Sequence, residues 1–170
     1  MIKDYILYKV LYKGRDVYIL SFDNAMDQSE FLKNEDDTVR FFKDMDSFAM
    51  FCSDSNLKIY EPITFNLNEF LYELKNLKAH KLYGSKICDC LLLGWNFIEE
   101  YMYTKNQKTD HYYDNVDSVN ICYDKLVLGT NIPSLMTSEE EYHPVWSQRE
   151  VFVIRSYMLK LLHEFTSEMF

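Results

Sequence analysis

The sequence predicts an α+β fold in which a small, mainly antiparallel sheet with short helices precedes three longer helices packed on it. Runs of β-branched and aromatic residues occur near the N-terminus, and apolar residues recur at helical spacing in the second half. Glycine and proline, with 4 and 3 copies, are too few to form a flexible linker. We therefore expect residues 1–170 to form a single domain, sheet-rich over 1–80 and helical over 81–170.

The first strands are predicted by two runs rich in Tyr, Ile, Leu and Val, residues 4–13 and 16–22. Gly14-Arg15 lies between them, and a short turn containing glycine is typical of a β-hairpin. The polar, acidic segment that follows, up to residue 37, fits either a short helix or a loop. Residues 38–42 then predict a third strand.

A short helix and a broken strand are expected next. Asp44 precedes apolar residues at helical spacing, so it is predicted to cap the N-terminus of a helix. Residues 57–66 have the composition of an extended segment, but Pro62 limits them to a sheet edge or an interrupted strand. Asn66 followed by Glu69 has capping-box spacing and predicts a further short helix.

The three longer helices are predicted from apolar stripes. The stripes are Ile87, Leu91, Trp95, Ile98 and Met102, then Val116, Val119, Tyr123, Leu126 and Val127, then Val151, Ile154, Met158, Leu161, Leu162 and Phe165.

The ends of two of these helices are marked by local signals. The second stripe stops just before Gly129, where a left-handed C-cap is expected, and Pro133 prevents the helix from resuming. A catalytic loop that needs the backbone freedom of glycine is the less favoured alternative. Ser147 and Glu150 form a capping box that predicts the start of the last helix.

The formal net charge of −9 limits the classes of partner. Phosphate backbones repel such a chain, so direct nucleic-acid binding is not expected. A basic protein is the complementary partner, although acidity that serves only solubility is the alternative.

The longest apolar stretch, 87–98, includes Asp89 and is shorter than the roughly 20 residues of a membrane span. With no export signal and 4 cysteines in apolar patterns, a cytoplasmic protein with free thiols is expected.

No catalytic or metal-binding constellation is recognisable. The chain has no glycine-rich phosphate loop, and its 4 histidines are widely spaced. Asp44 and Asp46 could hold a metal in a sugar-transfer enzyme, but helix capping explains them more simply. Glu99 and Glu100 could form an acid–base pair, but a solvated helix face is favoured. We therefore expect no enzymatic activity and no cofactor.

Acidic residues cluster in three segments, and tyrosines accompany two of them. Carboxylates and aromatic rings together suit a protein interface, because charge steers the partner and rigid rings supply contact energy. A solvated acidic surface is the alternative. The candidate partner-binding residues are Asp23, Asp27, Glu30, Glu35, Asp36, Asp37, Asp44 and Asp46, then Asp110, Tyr112, Tyr113 and Asp114, then Glu139, Glu140, Glu141 and Tyr142.

Three ordered segments, LLLGWNFIEE, YDKLVLGTNIP and EYHPVWSQREV, resemble immunity proteins of bacterial contact-dependent growth inhibition and related polymorphic toxin systems. The similarity is greatest to those paired with ribonuclease toxins, and it covers about residues 92–155. It is carried mainly by Trp95, Asn96, Tyr123, Asp124, Gly129, Pro133, Pro144, Trp146 and Ser147.

The resemblance implies a small acidic cytoplasmic protein that binds the basic C-terminal domain of its cognate toxin. It would cover the toxin's active site or substrate-binding surface and would have no catalysis of its own. The motif residues are expected to specify the fold, whereas toxin contacts lie elsewhere. Two alternatives stay open, a small transferase-like enzyme using Asp44 and Asp46, and an adaptor for another basic protein. The oligomeric state is also open.

Overall fold

A computed structural model shows an α+β fold and so confirms the predicted class. It describes residues 4–23, 29–53, 57–105, 116–135 and 140–169. The strands are β1 (Asp4–Tyr12), β2 (Arg15–Asp23), β3 (Ser29–Phe31), β4 (Phe41–Phe42), β5 (Lys58–Ile59) and β6 (Ile63–Asn66). The helices are α1 (Met45–Ser53), α2 (Leu67–Asn76), α3 (Ser85–Thr104), α4 (Val116–Gly129) and α5 (Gln148–Met169), with a 3-10 turn at Pro133–Leu135.

Strands β1 and β2 form the predicted antiparallel hairpin, with Tyr12 opposite Arg15. The turn consists of Lys13 and Gly14, one residue earlier than expected. Both residues have positive φ, 48° and 75°, as a tight two-residue hairpin turn requires. The hairpin forms the centre of the sheet.

The two edges of the sheet are built from short strands. On one edge β5 and β6 run parallel to β1 on either side of Pro62, which confirms the interrupted edge strand. On the other edge β3 and β4 pair with successive parts of β2. The expected strand over 38–42 is therefore only Phe41–Phe42, and Ser29–Phe31, expected in a helix or loop, is a strand.

The two faces of the central hairpin pack against different helices, because successive side chains point to opposite sides of a sheet. Val10, Val17 and Ile19 belong to a large buried cluster shared with α2, α3, α4 and α5. Leu7 and Leu20 belong to a smaller cluster with α1 on the opposite face. The predicted core of the last helix, from Val151 to Phe165, is buried as expected.

Capping side chains begin three of the helices. Asp44 Oδ1 accepts the backbone N–H of Ser47 at 2.7 Å in α1, and Asn66 caps α2. At the start of α5, Glu150 Oε2 accepts the Ser147 N–H at 2.7 Å. Ser147 Oγ accepts the Glu150 N–H at 3.2 Å in return. The predicted capping box is therefore present, and Asp44 caps the N-terminus of α1 as predicted.

The predicted role of Gly129 as a left-handed C-cap is wrong. Gly129 is the last residue of α4, and the left-handed residue beyond it is Asn131, with φ of 56°. A Cβ on Gly129 would lie 2.6 Å from Cys88 Sγ and 3.0 Å from the Pro144 ring. Glycine is needed here because α4 approaches α3 and Pro144 closely, not because the backbone turns.

The four cysteines are free thiols, as expected. Burial raises the pKa of Cys88 to about 11 and that of Cys122 to about 12, so both thiols stay protonated at neutral pH. Within the described ranges, no helix is long and apolar enough to cross a membrane.

Candidate protein-binding surface

Three members of the first acidic segment lie on a loop that leaves the sheet edge between β3 and β4. We call residues 32–40 the acidic hairpin. Its two arms are joined by a bridge between Lys33 and Val39. Backbone hydrogen bonds run from Asn34 N to Thr38 O at 2.8 Å and from Arg40 N to Leu32 O at 2.7 Å. The loop is therefore a compact structure rather than an open chain.

The tip of the acidic hairpin presents three consecutive exposed carboxylates, Glu35, Asp36 and Asp37. Asp36 Oδ1 accepts the Thr38 hydroxyl at 2.6 Å and the Thr38 N–H at 3.2 Å. These hydrogen bonds lower the pKa of Asp36, so its carboxylate is ionised. Asp37 has φ of 68° and lies 3.5 Å from Lys33 Nζ. These contacts hold the carboxylates of Asp36 and Asp37 in a defined geometry.

Arg40 attaches the acidic hairpin to α1. Its Nε donates to Asn34 Oδ1 at 3.0 Å, and its guanidinium lies 4.7 Å from the centroid of the Phe51 ring. Asp44 and Asp46 are exposed at the N-terminus of the same helix. Arg40 therefore links the acidic hairpin to α1, at whose N-terminus these two carboxylates lie.

The remaining described residues of this cluster flank β3. Asp23, at the end of β2, is exposed and accepts the Ser29 hydroxyl at 2.8 Å. Glu30 lies on β3 opposite Phe22 and is half-buried. The structure thus places the described members of the first acidic segment along one sheet edge and the adjoining helix.

A groove of about 700 Å³ lies beside the tip of the acidic hairpin. Asp36 and Asp37 line one part of it, together with apolar contributions from Val39 and Phe41. Lys43 and Lys105 also line it, and Lys105 is ion-paired with Glu168. The two aspartates are therefore the part of the groove that suits a cationic side chain of a partner.

The third acidic segment lies at a different place. Tyr142 N donates to Asn131 Oδ1 at 2.6 Å, just beyond the end of α4 that approaches Cys88. The acidic hairpin is near the other end of α3, where Thr104 Oγ1 accepts the Phe31 N–H. From Cys88 to Thr104 the helix rises about 24 Å. Glu140 and Glu141 are exposed in this segment, whereas Tyr142 is half-buried.

Six predicted partner-binding residues lie outside the described part of the chain. They are Asp27, Asp110, Tyr112, Tyr113, Asp114 and Glu139.

Several motif residues behind the resemblance join α3 to α4 and to the segment before α5. Trp95 is buried, and the Tyr123 hydroxyl donates to Asn96 Oδ1 at 3.0 Å between the two helices. Trp146 is fully buried, and its carbonyl accepts the His80 N–H at 2.8 Å. These contacts hold the helical half together.

The other motif residues differ in exposure. Pro144 is buried against Gly129, whereas Asp124 and Pro133 are exposed and Ser147 caps α5.

The expected solvated face at Glu99 and Glu100 is wrong, because both carboxylates reach partners on other elements. Glu99 Oε1 accepts the Trp95 indole N–H at 2.8 Å and the Tyr157 hydroxyl at 3.0 Å. Glu100 accepts the hydroxyl of buried Ser21 on β2. Consecutive helical positions can both find partners here because α3 is packed between the sheet and the other long helices.

Glu100→Gln is expected to stabilise the protein at pH 8 and to have little effect at pH 5. Burial raises the pKa of Glu100 from 4.5 to about 7. The folded state therefore holds a proton that the unfolded state releases, and stability falls as pH rises through this window. Chemical denaturation at pH 8 should show a gain of about 1–3 kcal/mol. An equal change at both pH values would contradict this assignment, and exposed Glu35→Gln is the control.

Comparison with protein-family models, curated proteins and solved structures found no match. Among the described residues, no group of three or more His, Cys, Asp or Glu side chains is arranged to hold a metal ion.

Proposed function

We propose that this chain is an immunity protein that binds the basic C-terminal domain of a cognate toxin of the ribonuclease type. It neutralises the toxin by covering the active site or substrate-binding surface, acts in the cytoplasm and has no catalysis of its own. The observation that carries this proposal is the acidic hairpin, with Glu35, Asp36 and Asp37 held on a structured turn.

The electrostatics of the hairpin suit this role. A domain that binds RNA presents cationic groups to phosphates, and the consecutive carboxylates of the acidic hairpin offer negative charge to the same groups. The net charge of −9 attracts such a domain over distances of about one Debye length. Steered association is valuable because an inhibitor must bind before the enzyme acts. Preorganised carboxylates also lose little conformational entropy on binding.

A defined capture experiment tests the proposal. The tagged chain is incubated at low salt with an extract of the source bacterium, and the bound proteins are identified by mass. We expect one stoichiometric basic domain from the C-terminal end of a large secreted protein, with ribonuclease activity after it is separated. Capture that yields no such domain, at low or high salt, would contradict the proposal.

The transferase-like alternative has less support from the geometry. Asp44 is committed to capping α1, and hydrogen bonds from Ser47 lower its pKa. Its companion Asp46 is exposed in the first turn of the same helix. An adaptor for another basic protein differs from an immunity protein only in the identity of the captured partner.

A further inference from the structure

A second cavity, of about 430 Å³, lies between the turn of the β1–β2 hairpin and the last turns of α5. We call it the basic cavity, because the described residues that line it include basic side chains and no carboxylate. The charge around this cavity is therefore opposite in sign to the net charge of the chain, which is −9. Its lining residues are Tyr12, Lys13, Arg15, His163, Thr166 and Ser167.

The register of the hairpin explains why Arg15 lines this cavity without a neutralising neighbour. Arg15 pairs with Tyr12, on the sheet face that packs against the long helices. Asp16 is the next residue, so its side chain points to the opposite face. There it lies 2.9 Å from Lys9 Nζ. The carboxylate nearest in sequence is therefore turned away from the basic cavity.

The cationic groups are supplied by two elements that the fold fixes in place. The backbone N–H of Lys13 donates to Asn68 Oδ1 at 3.1 Å, which ties the turn to α2. Lys13 Nζ lies 4.8 Å from the centroid of the Tyr12 ring. Both Arg15 and His163 are exposed, and neither side chain makes a hydrogen bond or an ion pair to another described residue. These two groups converge on the cavity with their donors unused.

Two features of α5 oppose an anion and limit its affinity. Thr166 Oγ1 donates to Leu162 O at 2.8 Å, and Ser167 Oγ donates to Glu164 O at 2.8 Å. Neither hydroxyl therefore has its proton free for a ligand. The carbonyl end of α5 also lies at this rim, and its partial charge of about −0.5 repels anions. The full positive charges of Lys13 and Arg15 outweigh that partial charge.

We propose that the basic cavity binds a phosphate group, either as free phosphate or as the phosphomonoester of a small molecule. Guanidinium is suited to this ligand because its paired N–H groups match two phosphate oxygens. A volume of about 430 Å³ is within the range of small-molecule sites. None of its lining residues belongs to the acidic hairpin, and the proposal does not depend on the proposed function.

Backbone amide NMR titrations with inorganic phosphate and with AMP test this inference. We expect saturable shifts at residues 12–15 and 163–167, with a dissociation constant of about 0.1–1 mM at low salt. Arg15→Gln should raise that constant at least fivefold. Arg149→Gln is the matched control, because Arg149 is an exposed arginine at the opposite end of α5. Its affinity for phosphate should equal that of the wild type.

The two probes distinguish the source of the phosphate. Tighter binding of AMP would assign a phosphomonoester that also contacts the Tyr12 side of the cavity, and equal affinities would assign phosphate alone. Shifts spread over exposed Lys and Arg residues, or equal weakening by Arg15→Gln and Arg149→Gln, would show adventitious ion binding and overturn the proposal. Absence of saturable shifts would also overturn it.

Discussion

Glu35→Lys combined with Asp37→Asn is expected to lower the association rate constant for the basic toxin domain about tenfold at low ionic strength. The pair of changes raises the charge of the acidic hairpin by 3, two from the first and one from the second. Asp36 is left unchanged because its carboxylate holds Thr38 and hence the shape of the tip. Asn at position 37 tolerates the observed φ of 68°. Stopped-flow mixing at several salt concentrations measures the effect.

A matched control has the same charge change at the other end of α3. Glu140→Lys with Glu141→Gln also adds 3 charges, in the segment that contacts Asn131. This variant should slow association less, and the difference between the variants should shrink as salt rises. Equal rates for the two variants at all salt concentrations would show that the acidic hairpin is not the steering surface.

Gly94→Ala is expected to lower the free energy of unfolding by about 3 kcal/mol. A Cβ at this position of α3 would overlap the ring of Phe70, which is fully buried on α2. The ring has little room to move because it packs against Phe65, with centroids 5.8 Å apart. Arg155 also holds the end of α2 in place, since its Nε donates to Leu74 O at 3.1 Å. Chemical denaturation measures this change in the free energy of unfolding.

Two further variants test the overlap itself. Gly84→Ala, at the N-cap of α3 where a Cβ meets nothing within 4 Å, should lower stability much less than Gly94→Ala. Phe70→Leu should cost less in the Gly94→Ala background than in the wild type, because it relieves the overlap. Additive costs of the two substitutions would contradict the proposed clash between α3 and α2.

Local signals account for the parts of the fold that the sequence predicts well. The hairpin follows from two β-rich runs around Gly14, and the capping box at Ser147 and Glu150 marks the start of α5. The apolar stripes predict which side of each long helix is buried. All of these depend on residues a few positions apart, so tertiary packing was not needed to find them.

Tertiary contacts explain why some predictions from the sequence are wrong. Gly129 has the position of a C-cap, but its lack of a side chain serves a close approach to Cys88 and Pro144 from distant segments. Ser29–Phe31 is a strand because it pairs with β2, which its own short sequence does not indicate. Glu100 accepts a hydrogen bond from Ser21, 79 positions away in the sequence, so no local pattern could predict that its carboxylate is buried.

The candidate surface was only partly predictable. The sequence shows that Glu35, Asp36 and Asp37 form an acidic run, but it does not show the hydrogen bonds that order this run. Asp36 two residues before Thr38 is a local turn signal that sequence inspection could have used. The contacts of Arg40 with Asn34 and Phe51 depend on the fold. The sequence also indicates the segment ending at Tyr142 as a second candidate, and the structure places that segment near the other end of α3 from the first cluster.

Titration of the captured toxin domain's ribonuclease activity with the purified chain tests the proposed function most directly. Activity should fall in proportion to added chain and reach zero at one chain per toxin domain, because binding is tight and covers the catalytic or substrate surface. The Glu35→Lys/Asp37→Asn variant should need longer preincubation to reach the same end point at low salt. Full ribonuclease activity in the presence of excess wild-type chain would contradict an immunity function.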